Sequence, residues 1–406
     1  MKILINCYAC SPYKGSEPGM GWNFVKCLAK LHELHIITER KFEADINQYF
    51  GEHPEEMKYF NFYFIEKERH KKLRKIYPPS YYWFYQAWQK KAFELAKELD
   101  KKHNFDIIHQ LNMIGYREPG YLYKLNKPFI WGPIGGFNIT PWKLLPTMGM
   151  KGAIFYTCRN IINLYQMHHS KRVNEAMSKV QHLICATKDA QKAAKEIWNK
   201  EAIILPEVGL LNPISQIQPK SRENNESFRI CWSGQHTPGK SLNFLLEAVS
   251  KCKNKENIEL HILGKGEKTK SWQHLASKLK LKNTVWYKWL PKDKAVEVMN
   301  SCHIFVITSL ADATSTVLLE ALSLGLPVVA LDLFGFSNVI TANCGIKIAP
   351  NNRKQITEDL SKAIDLLYSQ NNTLQSLSKG AFERAKEFSW NKKADKINQI
   401  YTGLVK

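Results

Sequence analysis

The chain has 406 residues, 44% hydrophobic and 23% charged, and its 58 Lys and Arg outweigh 37 Asp and Glu for a formal net charge of +21. That length supports two or three domains of about 150 residues, and the composition excludes disordered and fibrous classes. No apolar run is long enough to span a bilayer, and Ile3–Ile5 behind Lys2 is too short for a secretory signal, so a cytoplasmic location is expected.

The first half alternates strands with helical spacers. Ile3–Asn6 reads as a short buried strand, followed by the turn-rich loop Ser11-Pro-Tyr-Lys-Gly-Ser-Glu-Pro-Gly19 and a helix to about Lys30. Leu34–Thr38, Tyr59–Ile65, Asp106–His109, Phe129–Trp131, Leu183–Ala186 and Ala202–Leu205 read as further strands, and Glu94–Lys102 as a helix. Between Leu210 and Ser227 the periodicity lapses into Asn-Pro-Ile-Ser and a polar run, which marks a linker. The alternation then restarts with Arg229–Ser233, Glu259–Leu263, Val285–Tyr287, Ile304–Thr308 and Val328–Leu331. The expected fold is α/β, two doubly wound Rossmann-like domains facing a cleft, the first over 1–212. The nine cysteines are an odd number and suggest no disulfide framework; Cys7-x-x-Cys10 lacks a second pair that would complete a zinc site.

In open α/β sheets ligands bind beyond the carboxyl ends of the strands. Two loops stand there. Gly15-Ser16-Glu17-Pro-Gly19-Met-Gly21 follows the first strand, and its glycines would let a backbone approach a phosphate or an acceptor; the same residues would also make a plain tight turn. The second loop, Ser309 to Thr316, leads from a strand into a helix capped by Ser315 or Thr316 and stopped by Gly325 and Pro327. Amides at Thr316 and Val317 would hold an anion, and Glu320, one turn on, would suit paired ribose hydroxyls. The run His109-Gln-Leu-Asn112, Arg117, then Gly135-Gly136, is polar and Gly-rich for strand ends. It is a candidate for the acceptor or the interdomain cleft.

The stretch Asp312-x7-Glu320-Ala-Leu-x-x-Gly325-x-Pro327-Val328-Val329 resembles the E-x7-E signature of family 4 retaining glycosyltransferases of group 1, which have the GT-B fold. Cys231-Trp-Ser-Gly234, Lys240, Ile262-Leu-Gly264-Lys-Gly266-Glu267, Trp289-Leu290-Pro291 and Phe388-Ser-Trp390 resemble the family's flanks in order. The resemblance implies a nucleotide-sugar-binding domain over 213–385 and a C-terminal helix, 386–406, returning to the first domain. It implies catalytic roles for Lys240, His109 and Asp312. Donor contacts would come from Gly234, Gln235, His236, Lys240, Leu290, Thr314, Ser315, Thr316, Val317 and Glu320. Lys240 would hold the diphosphate with help from His236, and Gly15, Ser16, Glu17 and Gly19 would meet phosphate or acceptor.

The chain departs from the family at three places. Asp312 replaces the first Glu, Gln235 stands where a diphosphate-binding Arg is usual, and Leu111 stands where a second His is frequent, with Asn112 beside it. Lys67–Lys75 carries six basic residues against one acid and precedes an aromatic run to Trp88, so 67–88 is a candidate anionic-membrane interface.

The implied activity is transfer of a sugar from a nucleotide-sugar to a glycan or lipid-linked acceptor in envelope polysaccharide, lipopolysaccharide or exopolysaccharide synthesis. No cofactor, metal or nucleic acid is expected. The alternatives are a nucleotide-sugar epimerase of the same fold and a catalytically degenerate basic protein binding membrane or nucleic acid.

Overall fold

The computed structural model describes residues 1–77, 79–211, 216–223 and 226–404. Two parallel sheets form around central strands that are short apolar runs buried on both faces, the pattern that helices on either side of a sheet require, with partly exposed strands at the edges. The first contains β1 (Lys2–Cys7), β2 (Glu33–Glu39), β3 (Phe60–Ile65), β4 (Ile107–Asn112), β5 (Phe129–Ile134), β6 (His182–Cys185) and β7 (Ala202–Ile204), in the order β3-β2-β1-β4-β5-β6-β7. Ile3 lies between Leu34 and Ile107, so strand order reverses at β1. The second contains β8 (Phe228–Ser233), β9 (Ile258–Leu263), β10 (Thr284–Trp286), β11 (Ile304–Ile307), β12 (Val328–Leu331) and β13 (Gly345–Ile348), in the order β10-β9-β8-β11-β12-β13. Here the reversal falls between β8 and β11. Both sheets are doubly wound and Rossmann-like, as the alternation of strands and helices predicts.

The chain divides into two compact units. One comprises Met1–Phe137, Tyr165–Leu211 and the chain from Trp390 on; the other comprises Asn138–Leu164 and the later chain up to Ser389. The expected extent 1–212 for the first domain is therefore corrected over 138–164. Leu144, Leu145 and Met148 belong to the core around Phe228, Ile230 and Trp232, and a Cβ on Gly152 would lie 2.8 Å from Pro238. The expected boundary at 212/213 and the Asn-Pro-Ile-Ser run at 212–215 lie outside the described residues. The part of the linker that is described is not free: Lys220 N–H donates to Ser378 Oγ at 2.8 Å, its ammonium donates to Asn300 O at 2.6 Å, and Arg222 N–H donates to Asn371 Oδ1 at 2.9 Å. Its polar composition hides this anchoring.

Several helices escape the sequence reading. Ser80–His103 is one 24-residue helix rather than the short segment expected at 94–102. Its buried face, Tyr85, Trp88, Gln89, Ala92, Ala96 and Leu99, has helical spacing, but the aromatic run at 81–85 obscures the period. Gly149–His169 and the strand β13 were also unread.

The chain's last helix, Trp390–Leu404, packs within the first unit and starts four residues after the expected 386, which instead closes the helix Asn371–Lys386. Trp390 N–H donates to Leu210 O at 3.0 Å, and the buried Lys393 ammonium donates to Pro206 O and Val208 O. Tyr401 O–H meets His109 Nδ1 at 2.6 Å, while His109 Nε2 lies 2.6 Å from Gly132 O. Since a carbonyl only accepts, Nε2 carries the proton and Nδ1 accepts from Tyr401.

Burial holds the His109 pKa at about 4, below its ordinary value near 6.5. Between those two values the unfolded chain binds a proton that the folded chain does not. The stabilisation is thus complete above the unfolded value and is lost as pH falls toward the folded one. Urea unfolding at about pH 5 should show the first unit weaker than at about pH 7, by about 2 kcal/mol from this residue. His109→Gln should flatten that part of the pH slope.

Candidate active site

In the second unit the loops after β8, β9 and β11 meet at the reversal of strand order, where an open α/β sheet leaves a crevice. The turn Gly234-Gln235-His236 interlocks with Gly264-Lys265-Gly266. Gly234 N–H donates to Leu263 O at 3.1 Å, His236 N–H to Lys265 O at 3.2 Å, and Lys268 N–H to His236 O at 3.0 Å. Gly264 has φ +110°, and a Cβ there would sit 2.1 Å from Gly234 O; a Cβ on Gly266 would sit 2.6 Å from His236 O. Only glycine permits this contact of two main chains.

His236 does not take the role expected of it. Its ring is fully buried, with Nδ1 2.8 Å from Thr269 Oγ1 and the rings of Trp232, Trp272 and Trp286 around it. Burial lowers its pKa to about 4, so a neutral imidazole stands there at neutral pH and brings no charge to a phosphate. It acts as the post on which the turn is built.

Lys240 ends the short helical turn Pro238–Lys240, and β11 fixes its backbone. Lys240 O accepts from Thr308 Oγ1 at 2.9 Å, Thr308 Oγ1 accepts from Trp232 Nε1 at 3.1 Å, and Leu310 N–H donates to Gly239 O at 2.8 Å. The Lys240 ammonium is paired with the Asp312 carboxylate, both side chains about a quarter exposed (22% and 24%). Asn138 Nδ2 donates to Asp312 O at 2.7 Å, and the Tyr156 hydroxyl lies 2.4 Å from where a Cβ on Gly239 would stand. Asn138 and Tyr156 were missed in the sequence, because the segment 138–164 carries no strand–loop–helix signal. Burial raises the Tyr156 phenol pKa, with the nearby Arg159 opposing and Asp312 reinforcing the shift.

The loop from Asp312 folds onto the next element: Gly335 N–H donates to Ala313 O at 3.0 Å, and Thr314 is buried beneath it. Ser315 is the residue that caps the helix Thr316–Ser323, with extended φ −102°, ψ 130°. Its carbonyl, not its hydroxyl, accepts, from Leu318 N–H at 3.0 Å. Thr316 is exposed and Val317 half-buried at the helix start. Glu320, one turn on, pairs with the exposed Lys292 at 3.4 Å. Leu290 is half-buried beside the exposed Trp289.

In the first unit the expected residues are brought to one sheet edge but are mostly engaged with the fold. His109 is sealed, and with both ring nitrogens taken it has no atom for a reacting group; its catalytic assignment is corrected to a scaffold role. Asn112 is equally buried, exchanging bonds with the Ala9 backbone at 2.9 and 3.3 Å. The Glu17 carboxylate accepts from Ile114 N–H at 2.8 Å, and burial raises its pKa. Gly19 lets the loop close on itself, since a Cβ would stand 2.4 Å from Lys14 O, whereas Gly15 borders open space and Ser16 beside it is exposed. Gly135 bonds in both directions with the Ile114–Tyr116 segment, and Gly136 has φ +86°. Arg117 Nε donates to Gln166 Oε1 and its guanidinium lies 4.9 Å from the Tyr116 ring centroid. Cys7 and Cys10 are free and buried. At the opposite edge of the same sheet, Glu33, His35 and His103 place ligand-type atoms within 4.8 Å of one another.

Residues 213–384 match the family of glycosyl transferases group 1. The chain is 21% identical over 270 residues to the phosphatidylinositol N-acetylglucosaminyltransferase GPI3 subunit of Saccharomyces cerevisiae, covering 64% of this chain and 59% of that protein's length. It superposes on the lipopolysaccharide outer core galactosyltransferase WaaB at a TM-score of 0.69 with 14% identity, covering 99% of this chain and 100% of that one. Anabaena HepE in complex with UDP-glucose gives 0.58 with 14% identity, covering 98% and 99%. At such identities the likeness is one of fold, and with the two doubly wound sheets it gives the GT-B fold. The group 1 match covers the second unit's sheet and the Lys240–Asp312 pair.

The interlocked turns make a direct test of how the segment that matches group 1 is built. Gly266→Ala should destabilise the second unit by about 1–3 kcal/mol, because the added methyl forces apart two main chains. Intrinsic fluorescence should report it early in urea, as Trp232, Trp272 and Trp286 surround the displaced His236.

Proposed function

We propose that the protein is a retaining glycosyltransferase that moves a sugar from a nucleotide-sugar to a hydroxyl of a glycan or lipid-linked acceptor in envelope polysaccharide, lipopolysaccharide or exopolysaccharide synthesis. The observation that carries this reading is the convergence, within the segment that matches group 1, of Lys240, Asp312, the Gly234 turn and the helix bearing Glu320 on one sheet edge. In this reading Glu320 takes the donor ribose, exchanging its surface pair with Lys292. Lys240 and the amides of Thr316 and Val317 take the diphosphate, and the Asp312–Ser315 loop meets the sugar.

The chemistry is positioning and charge stabilisation rather than covalent catalysis. As the bond from the anomeric carbon to the diphosphate breaks, the leaving phosphate gathers negative charge, which Lys240 neutralises. Paired with Asp312 beforehand, the ammonium is already oriented, and the carboxylate released from it is placed for a sugar hydroxyl. The acceptor attacks on the face the diphosphate leaves, its proton passing to the departing phosphate, so configuration is retained. With Gln235 in place of a second cation and His236 neutral, Lys240 carries this charge without a metal.

The peripheral-membrane part of the reading rests on a smaller surface than 67–88. Tyr85, Trp88 and Lys67 are buried, leaving Ile76, Tyr77, Tyr82 and Trp83 exposed beside Lys72, Arg74 and Lys75. No helix among the described residues is long and apolar enough to cross a membrane.

A thermal-shift panel of UDP-, GDP-, ADP- and dTDP-sugars tests the donor site. One nucleotide class at about 100 times its Kd should add about 2.7 kcal/mol and raise Tm by several degrees. Glu320→Gln should lose most of that response. Lys240→Met should cut turnover by at least about a hundredfold, EDTA should leave turnover unchanged, and proton NMR of the product should show the donor's anomeric configuration. Absence of any nucleotide response would defeat the reading.

A further inference from the structure

At the carboxyl edge of the first sheet lies a buried cation that has no ion-pair partner among the described residues. Lys67, two residues beyond β3, is 3% exposed. Its ammonium donates to the Tyr8 hydroxyl at 3.2 Å and stands 3.4 Å from the centroid of the Tyr81 ring. The hydroxyls of Tyr8 and Tyr81 are 3.3 Å apart, and Tyr81 reaches Met113 Sδ at 3.6 Å. Thus the segments following β1, β3 and β4 all contribute to one spot.

More positive charge rims it. Arg74 lies 5.2 Å from the Tyr81 ring centroid and Lys41 5.4 Å from that of Tyr8. The acids nearby are already engaged: Glu39 with Lys41 and Arg69, Asp45 with Lys14, and Glu17 with the Ile114 amide. Among the described residues neither Lys67 nor Arg74 forms an ion pair. Burial, then repulsion from Lys41 and Arg74, lowers the Lys67 pKa to about 7, and burial, then Lys14 and Arg74, lowers that of Lys41 against the opposing pull of Glu17. Ring faces offset part of the cost of burying an ammonium, but they do not remove the mutual repulsion of the cations. An arriving dianion would remove it, and two phenol hydroxyls and an ammonium offer it donors at the floor while a guanidinium offers two more at the rim.

We propose that Lys67, Tyr8, Tyr81 and Arg74 form a subsite for a phosphate or diphosphate group carried by the acceptor. The assignment rests on the transferase reading for the word acceptor, but the anion site itself does not.

Calorimetric titration of inorganic pyrophosphate and of farnesyl diphosphate, with saturating UDP present throughout, tests the site on the full chain. Lys67→Gln and Arg74→Gln should each weaken both ligands by about tenfold or more, and Lys240→Gln should not. Arg74 is exposed, so its variant folds even if the buried Lys67 substitution does not. Tighter binding of farnesyl diphosphate than of pyrophosphate would assign the group to a lipid-linked acceptor; equal binding would assign it to a soluble phosphorylated one. Unchanged binding in Arg74→Gln and Lys67→Gln, or loss confined to Lys240→Gln, would overturn the proposal. UDP-, GDP-, ADP- and dTDP-sugars titrated on the same variants read the donor site separately, so a protein that binds diphosphate through Lys67 but ignores all four would defeat the transferase reading alone.

Discussion

The ion pair between Lys240 and Asp312 is the contact on which the loops of the second unit converge. Each partner is fixed from its backbone: Lys240 through Thr308 and the turn at Gly239, Asp312 through Asn138. A pair about a quarter exposed gains little net stability, since solvent screening and lost side-chain entropy offset most of the attraction. Its consequence is positional. An ammonium held at one place by a carboxylate needs no search when a more highly charged anion arrives, and transition-state stabilisation depends on such preorganised charge. The glycines at 264 and 266 and the buried His236 serve the same end, because they lock the turn against which the Lys240 stem lies.

Much of this was legible in the sequence, for a definite reason. A parallel strand buried on both faces is a short apolar run, and the loop that follows it is polar, so the C-terminal edge of each sheet announces itself. That is why β1, β8, β11 and the loop to Glu320 were readable. The elements that escaped are those whose burial pattern conflicts with their composition. The helix Ser80–His103 starts in a run of aromatics that packs one face only, and the polar segment from 216 looks like a linker although Ser378, Asn300 and Asn371 hold it. Membership of 138–164 in the second unit could not be read, because it is decided by Leu144, Leu145 and Met148 meeting a core assembled from residues a hundred positions away.

Side-chain roles were less legible than elements. His109, Asn112 and His236 stand at strand ends in motifs that suggest chemistry, yet each is buried with its polar atoms turned to the fold. The sequence shows that a polar residue lies at the functional edge, not which way it faces. Burial then settles its charge: an imidazole sealed among tryptophans or under Tyr401 takes up a proton only near pH 4, well below the ordinary value near 6.5, and at neutral pH is a neutral strut.

The same physics gives the opposite result at Lys67. Burial lowers the pKa of both Lys67 and Lys393 to about 7, and at Lys393 the carbonyls of Pro206 and Val208 accept from the ammonium. The two sites differ in their surroundings. Lys393 spends its protons on carbonyls inside the fold and approaches Glu207 electrostatically, so its environment is closed. Lys67 faces two phenols, with Lys41 and Arg74 adding repulsion rather than relief. A net charge of +21 could be spread evenly over a surface at little cost. Placing Arg74, which forms no ion pair among the described residues, and Lys41, whose partner Glu39 is shared with Arg69, beside a buried lysine at the edge of a parallel sheet costs stability that an anion would return.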